Sequence, residues 1–231
     1  MYDVPDLTAI ANLFGSDKGD KIFHAHGYTL LYSFLFEQFR TEYFNFLEIG
    51  LHRGEIDPER LLTRTLTDVP SIKMWLEFFP KAEAYGFDIS DFSGAREERF
   101  TFIRGDMGSE ADMKKLKITL PRLRIIVEDG SHAQYHQQFA FKHLFQKIES
   151  GGFYVIEDLH SGHPVEARLP PTPRTSAVFE TFMKTGYLGL ECANDYECAA
   201  LSRQIKNVYM HRSAKGGVDR WSPKMIAIQK V

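Results

Sequence analysis

The chain has 231 residues, enough for one sizeable core, with 43% hydrophobic residues, 26% charged residues and a formal net charge of −3. That balance excludes extended disorder and offers no basic footprint for nucleic acid or an anionic membrane. No run approaches the roughly 20 apolar residues of a membrane span, so the expected partner is a small molecule, with no nucleic acid and no membrane.

The first residues, "MYDVPDLTAIANLF", lack the basic and long apolar regions of a signal peptide, and Cys192 and Cys198 are too few for a disulfide framework or a four-ligand metal set. A cytoplasmic protein with reduced thiols is expected. Apolar spacing predicts a helix over 6–14 with Asp6 as its cap, broken by the glycines of "GSDKG", and a second helix over 28–39. Residues 1–45 thus read as an N-terminal helical segment and loop within a single domain spanning 1–231. The first strand, 44–50, ends in Glu48-Ile49-Gly50. Residues 55–70 read as an inserted helix, with Pro58 in its first turn and Pro70 closing it, and 71–79 as a helix stopped by Pro80.

Strands then follow at 82–90, 99–106, 123–130 and 151–158, with a helix over 133–148 between the last two. Alternating strand and helix implies a parallel sheet with right-handed crossovers. Residues 160–176 hold four prolines and no periodicity, which reads as a lid loop. A helix over 176–186 and two runs at 205–212 and 224–230, forming an antiparallel hairpin, complete the expected α/β fold.

Five of these strands end in acid: Glu48, Asp88, Asp106, Asp129 and the pair Glu157-Asp158. In an open parallel sheet the carboxyl ends share one rim, where ligands bind. Like charges gathered there need something positive among them. Asp88, one strand along from Gly50 and Gly54, is placed to accept from ribose hydroxyls. Asp129, Glu157 and Asp158 offer only oxygen donors, which suits a hard cation such as Mg²⁺. Gly50 and Gly54 do not make a dinucleotide fingerprint, and Asp88 lies 38 residues past Gly50, too far for one. His132 and His136 have the spacing of zinc hydrolases, but Ala133 stands where their glutamate would be.

The motifs "FGSDKG", "HGYT", "FLEIGLHRG", "MWLEFFP", "YGFDIS", "FIRGD", "VEDGSH" and "GGFYVIEDL" occur in the order found in small class I S-adenosylmethionine-dependent methyltransferases. Over roughly residues 10–160 the chain resembles the macrocin and mycinamicin type, which methylates sugar hydroxyls of natural products, with the cephalosporin hydroxylase-like proteins adjacent. Glu128 stands where that family usually has Asp, and residues 55–70 interrupt its glycine loop.

The resemblance implies a Rossmann-like, mostly parallel seven-stranded sheet with helices on both faces. It implies S-adenosyl-L-methionine at the first three strand ends, where Glu48, Gly50, Gly54, Asp88 and Asp106 are the candidate contacts by position. It further implies Mg²⁺ held by Asp129, Glu157 and Asp158, with His132 as general base. The expected activity is O-methylation of a small-molecule hydroxyl, against a metal-dependent hydroxylase- or hydrolase-like enzyme or a non-catalytic nucleotide-binding protein on the same scaffold. A homo-oligomer is compatible with the sequence, with the inserted helix as its contact.

Overall fold

The computed structural model describes residues 6–21, 26–51, 66–159, 164–212 and 223–231. Seven strands form one sheet: β1 (Asn45–Ile49), β2 (Glu83–Asp88), β3 (Phe100–Arg104), β4 (Leu123–Glu128), β5 (Ile148–Ile156), β6 (Ile205–His211) and β7 (Met225–Lys230), in the spatial order β3-β2-β1-β4-β5-β7-β6. The first five are parallel, while β7 runs antiparallel to both β5 and β6. The strand order reverses between β1 and β4, which makes a crevice at their carboxyl ends.

Strand periodicity sorts the core into two layers. On one face Phe46, Ile125, Val127, Phe153 and Val155 pack against α1 (Leu7–Phe14), α2 (Thr29–Phe36) and α3 (Pro70–Phe78). The alternate residues Leu47, Ile126, Tyr154 and Ile156 face α4 (Glu110–Thr119), α5 (Gln134–Leu144), α6 (Thr175–Thr185) and α7 (Asp195–Ser202). Side chains one apart on a strand point to opposite faces, so continuous apolar runs serve both layers. Burial of this kind stabilises by about 25 cal/mol per Å² of apolar surface.

Local chemistry sets the helix ends. The Asp6 carboxylate accepts the Ala9 N–H at 2.7 Å, and Gly15 ends α1 in the left-handed region at φ 72°. Pro70 occupies the first turn of α3 instead of closing a preceding helix, because a missing N–H costs nothing there. Most of the expected 55–70 insertion lies outside the described residues, as does Gly54. The 28–39 helix ends at Phe36 and tightens to a 3₁₀ turn over Glu37–Phe39. Helix α7 was not expected; an Asn194–Glu197 capping box starts it.

After β5, Pro164–Arg168 forms a 3₁₀ turn tied to the start of α5. Glu166 accepts the Gln134 N–H at 2.9 Å, the Thr175 N–H donates to Gln134 Oε1 at 2.7 Å, and Gln138 Nε2 donates to Pro173 O at 2.7 Å. The expected 160–176 loop is therefore ordered against α5 over its described part. No helix among the described residues is long and apolar enough to cross a membrane.

Candidate active site

The acids meet where β1, β4 and β5 end. Gly50 has φ 86°, and a Cβ there would lie 2.0 Å from the Asp129 carbonyl oxygen, so only glycine lets the β1 and β4 loops touch. The Asp129 N–H donates to Ile49 O at 2.8 Å, which carries the β1–β4 pairing into the loop. Asp88 ends β2 with both oxygens engaged, Oδ2 by the Leu51 N–H at 2.8 Å and Oδ1 by the Ser90 N–H at 2.7 Å. Asp106 accepts the Gly108 N–H at 2.8 Å, which closes the turn after β3.

Asp129, His132 and Asp158 stand together, each with one ligand-type atom within 4.8 Å of the others. His132 Nε2 lies 3.6 Å from Asp158 Oδ2, and its Nδ1 is 4.0 Å from Asp129 Oδ1 and has no hydrogen-bond partner. His132 and Asp158 both hold left-handed backbone, at φ 57° and 51°. Non-glycine residues pay about 1–3 kcal/mol for such conformations, which persist where the surroundings impose them and cluster at working sites. Both side chains face the same space.

Glu157 points the other way. Its Oε2 accepts from Lys18 Nζ at 2.8 Å and its Oε1 from the Tyr32 hydroxyl. Lys18 is 1% exposed, and its ammonium also lies 2.5 Å from Asp129 Oδ2 and 3.3 Å from Glu48 Oε1. Glu48 takes a further 2.7 Å hydrogen bond from Ser71 Oγ, and Tyr28 donates to Asp158 Oδ1 at 2.5 Å. His26 stacks on Tyr28 with centroids 4.9 Å apart. The structure thus brings Glu48, Asp129, Glu157, Asp158 and His132 into one cluster, and sets Asp88 and Asp106 apart on the β2 and β3 loops.

Burial raises the Glu48 pKa to about 7, with Lys18 and Ser71 opposing it, and pushes Glu157 up as well, aided by the Asp129 charge. For Lys18, burial would lower the pKa, but Asp129, Glu157 and Glu48 outweigh it and hold the ammonium well above its ordinary range. Glu128, wholly buried under the turn, is pushed to about 8 by burial while its Oε1 accepts the Gly130 N–H at 3.1 Å.

Lys18, Tyr28 and Tyr32 were not among the expected site residues. The acid crowding demanded a cation without saying which, and the two tyrosines read as core aromatics. His136 does not join His132; its Nδ1 lies 2.8 Å from Ser131 Oγ. A cleft beside the cluster is lined by Ser16, Lys18, Gly50, Leu51, Ser71 and Asp129. The oxygen-rich donors and the unbonded His132 Nδ1 fit a divalent ion at Asp129 and Asp158.

No family model matches the chain. Among curated proteins it is similar to 8-demethyl-8-alpha-L-rhamnosyl tetracenomycin-C 2'-O-methyltransferase of Streptomyces olivaceus, 34% identical over 161 residues, covering 70% of this chain and 39% of that protein. It is 33% identical to demethylmacrocin O-methyltransferase of Streptomyces fradiae, over 69% of this chain and 38% of the relative. Mycinamicin VI 2''-O-methyltransferase of Micromonospora griseorubida is 31% identical over 69% of this chain and 37% of its own length. The chain therefore spans about two-fifths of the length of the curated relatives it matches.

Among solved structures, the fold matches the MycE methyltransferase of the mycinamycin biosynthetic pathway, in complex with Mg, SAH and mycinamycin VI. The TM-score is 0.73 at 23% identity, covering 99% of this chain and 55% of that one. The Rossmann-like sheet and the resemblance to sugar O-methyltransferases both hold.

Proposed function

We infer that this chain, a relative of S-adenosylmethionine-dependent sugar O-methyltransferases over some 70% of its length, transfers a methyl group from S-adenosyl-L-methionine to a hydroxyl of a small molecule, with Mg²⁺ assisting. The acceptor we propose is a sugar on a natural product. The observation that carries this reading is the Asp129–His132–Asp158 cluster, held by strained backbone beside the β1–β4 crevice.

Glu48, Gly50, Gly54, Asp88 and Asp106 would bind the cofactor along the first three strand ends. Asp129, Asp158 and Glu157 would hold the ion. When bound, such an ion lowers the pKa of a hydroxyl that meets it. The His132 imidazole takes the proton released as the acceptor oxygen bonds to the methyl carbon and the sulfur–carbon bond breaks. The Asp129 and Asp158 carboxylates offset the charge the ring then carries. The ordered segment 164–176 would cover the acceptor and exclude water, and ligands should slow its cleavage by protease.

Calorimetry with S-adenosylmethionine in the presence and absence of Mg²⁺ tests the reading. Binding is expected in the presence of Mg²⁺, and its absence under both conditions removes the proposal. The zinc-hydrolase alternative finds no support in the cluster, since His136 is bonded to Ser131 away from it.

A further inference from the structure

We propose that Lys18 is a built-in counter-cation: it holds the acid cluster together before the divalent ion arrives and gives up its carboxylate oxygens when the ion binds. This rests on the metal reading above and deepens it.

Three carboxylates from three neighbouring strand ends converge on one ammonium, with Nζ distances of 2.5 Å to Asp129, 2.8 Å to Glu157 and 3.3 Å to Glu48. Up to three negative charges against one positive leave the cluster underneutralised, a state that a divalent ion relieves. Two of those three acids are proposed ion ligands. Glu157 has no oxygen outside these bonds, because Tyr32 engages the other one. A divalent ion at Glu157 would share an oxygen with the Lys18 ammonium or the Tyr32 hydroxyl, and repulsion between like charges makes the lysine the partner to go.

The lysine is the partner built to leave. Its backbone is pinned, with the Thr29 N–H donating to Lys18 O at 3.2 Å and the Gly27 N–H to Gly19 O at 2.8 Å. Its side chain is a flexible four-carbon stem, and the residue lines the cleft next to Ser16 and Ser71. Exchange then needs only side-chain rotation, while Tyr28 and Tyr32 keep their places in the core as hydroxyl donors.

Wild type and Lys18→Met are titrated with Mn²⁺, followed by the electron paramagnetic resonance of the free ion, and melted with and without Mg²⁺. Removing the competitor should tighten Mn²⁺ binding by at least about tenfold. The variant should also melt lower than wild type without the ion and regain most of that loss with it. In wild type, amine acylation read by mass spectrometry should spare Lys18 without Mg²⁺ and label it with saturating Mg²⁺.

Unchanged or weaker Mn²⁺ affinity in a folded Lys18→Met protein, with wild-type binding intact, overturns the inference and leaves the proposed function standing. Lys18 protection that persists in Mg²⁺ overturns it in wild type alone, whether or not the variant folds. If neither protein binds Mn²⁺, the metal reading fails and the inference goes with it.

Discussion

The two halves of the acid rim are satisfied by different means. On β2 and β3, Asp88 and Asp106 accept only backbone N–H groups at 2.7 to 2.8 Å, those of Ser90 and Gly108 in their own loops and of Leu51 just after β1. On β1, β4 and β5, the acids accept from side chains that arrive from elsewhere: Lys18, Tyr28 and Tyr32 from the N-terminal segment, and Ser71 from α3. Backbone donors cannot leave without the loop being rebuilt. A side-chain donor such as the Lys18 ammonium can rotate away. One half is a fixed mould suited to an invariant cofactor, and the other a set of exchangeable contacts suited to an ion and a proton.

The largest effect should follow loss of the proposed base beside the exchangeable half. His132→Ala should lower turnover by about 10²–10⁴-fold, the usual worth of a general base, while calorimetry shows S-adenosylmethionine binding retained. Unchanged turnover would remove His132 as base. Next comes the contact that joins the β1 and β4 loops within the exchangeable half. Gly50→Ala forces a Cβ into the Asp129 carbonyl and an alanine into positive φ, which should cost about 2–4 kcal/mol in urea unfolding.

A matched pair then separates the halves directly. Tyr32→Phe leaves buried Glu157 one donor short and should cost about 1–3 kcal/mol, a loss that Mg²⁺ reduces. Asp88→Asn turns an amide NH₂ toward one of two backbone N–H groups, and its loss should be of similar size but indifferent to Mg²⁺. If Mg²⁺ rescued both equally, the distinction between fixed and exchangeable acids would collapse.

The smallest effect lies outside the rim, at His143, which is buried and 3.1 Å from Glu110 Oε2. Burial lowers its pKa below the ordinary histidine value, despite Glu110. The folded state therefore binds fewer protons than the unfolded chain, and stability falls as pH drops through about 6.5, the unfolded value. His143→Gln should flatten that acid-side slope in denaturation curves at pH 5.5 and 7.5, and leave the rim untouched.

Much of the fold could be read from the sequence because strands buried on both faces are continuous apolar runs, such as Phe153–Ile156, and because Asp and Glu directly after them mark the carboxyl edge. The site was legible in part for the same reason. What adjacency could not say is which way each acid points: Glu157 and Asp158 are neighbours, yet one faces Lys18 and the other faces His132. Lys18 itself was hidden because its partners lie 111 and 139 residues away, and lysine is almost never fully buried without a pairing that only the fold reveals. Pro70 was ambiguous in kind, since proline both ends one helix and starts another. Helix α7 has a visible capping box but is short and buries only Cys198 and Leu201, and periodicity passed it over.

The strand order carries a consequence for how the molecule is made. β7, last in sequence, sits between β5 and β6, with Met225 through Ile228 fully buried. Until the ribosome has released those residues, the open hydrogen-bonding edge of β5 has no neighbour on that side, and such edges invite pairing with other chains. Efficient production should therefore depend on how quickly β7, once synthesised, can slot into the gap between β5 and β6.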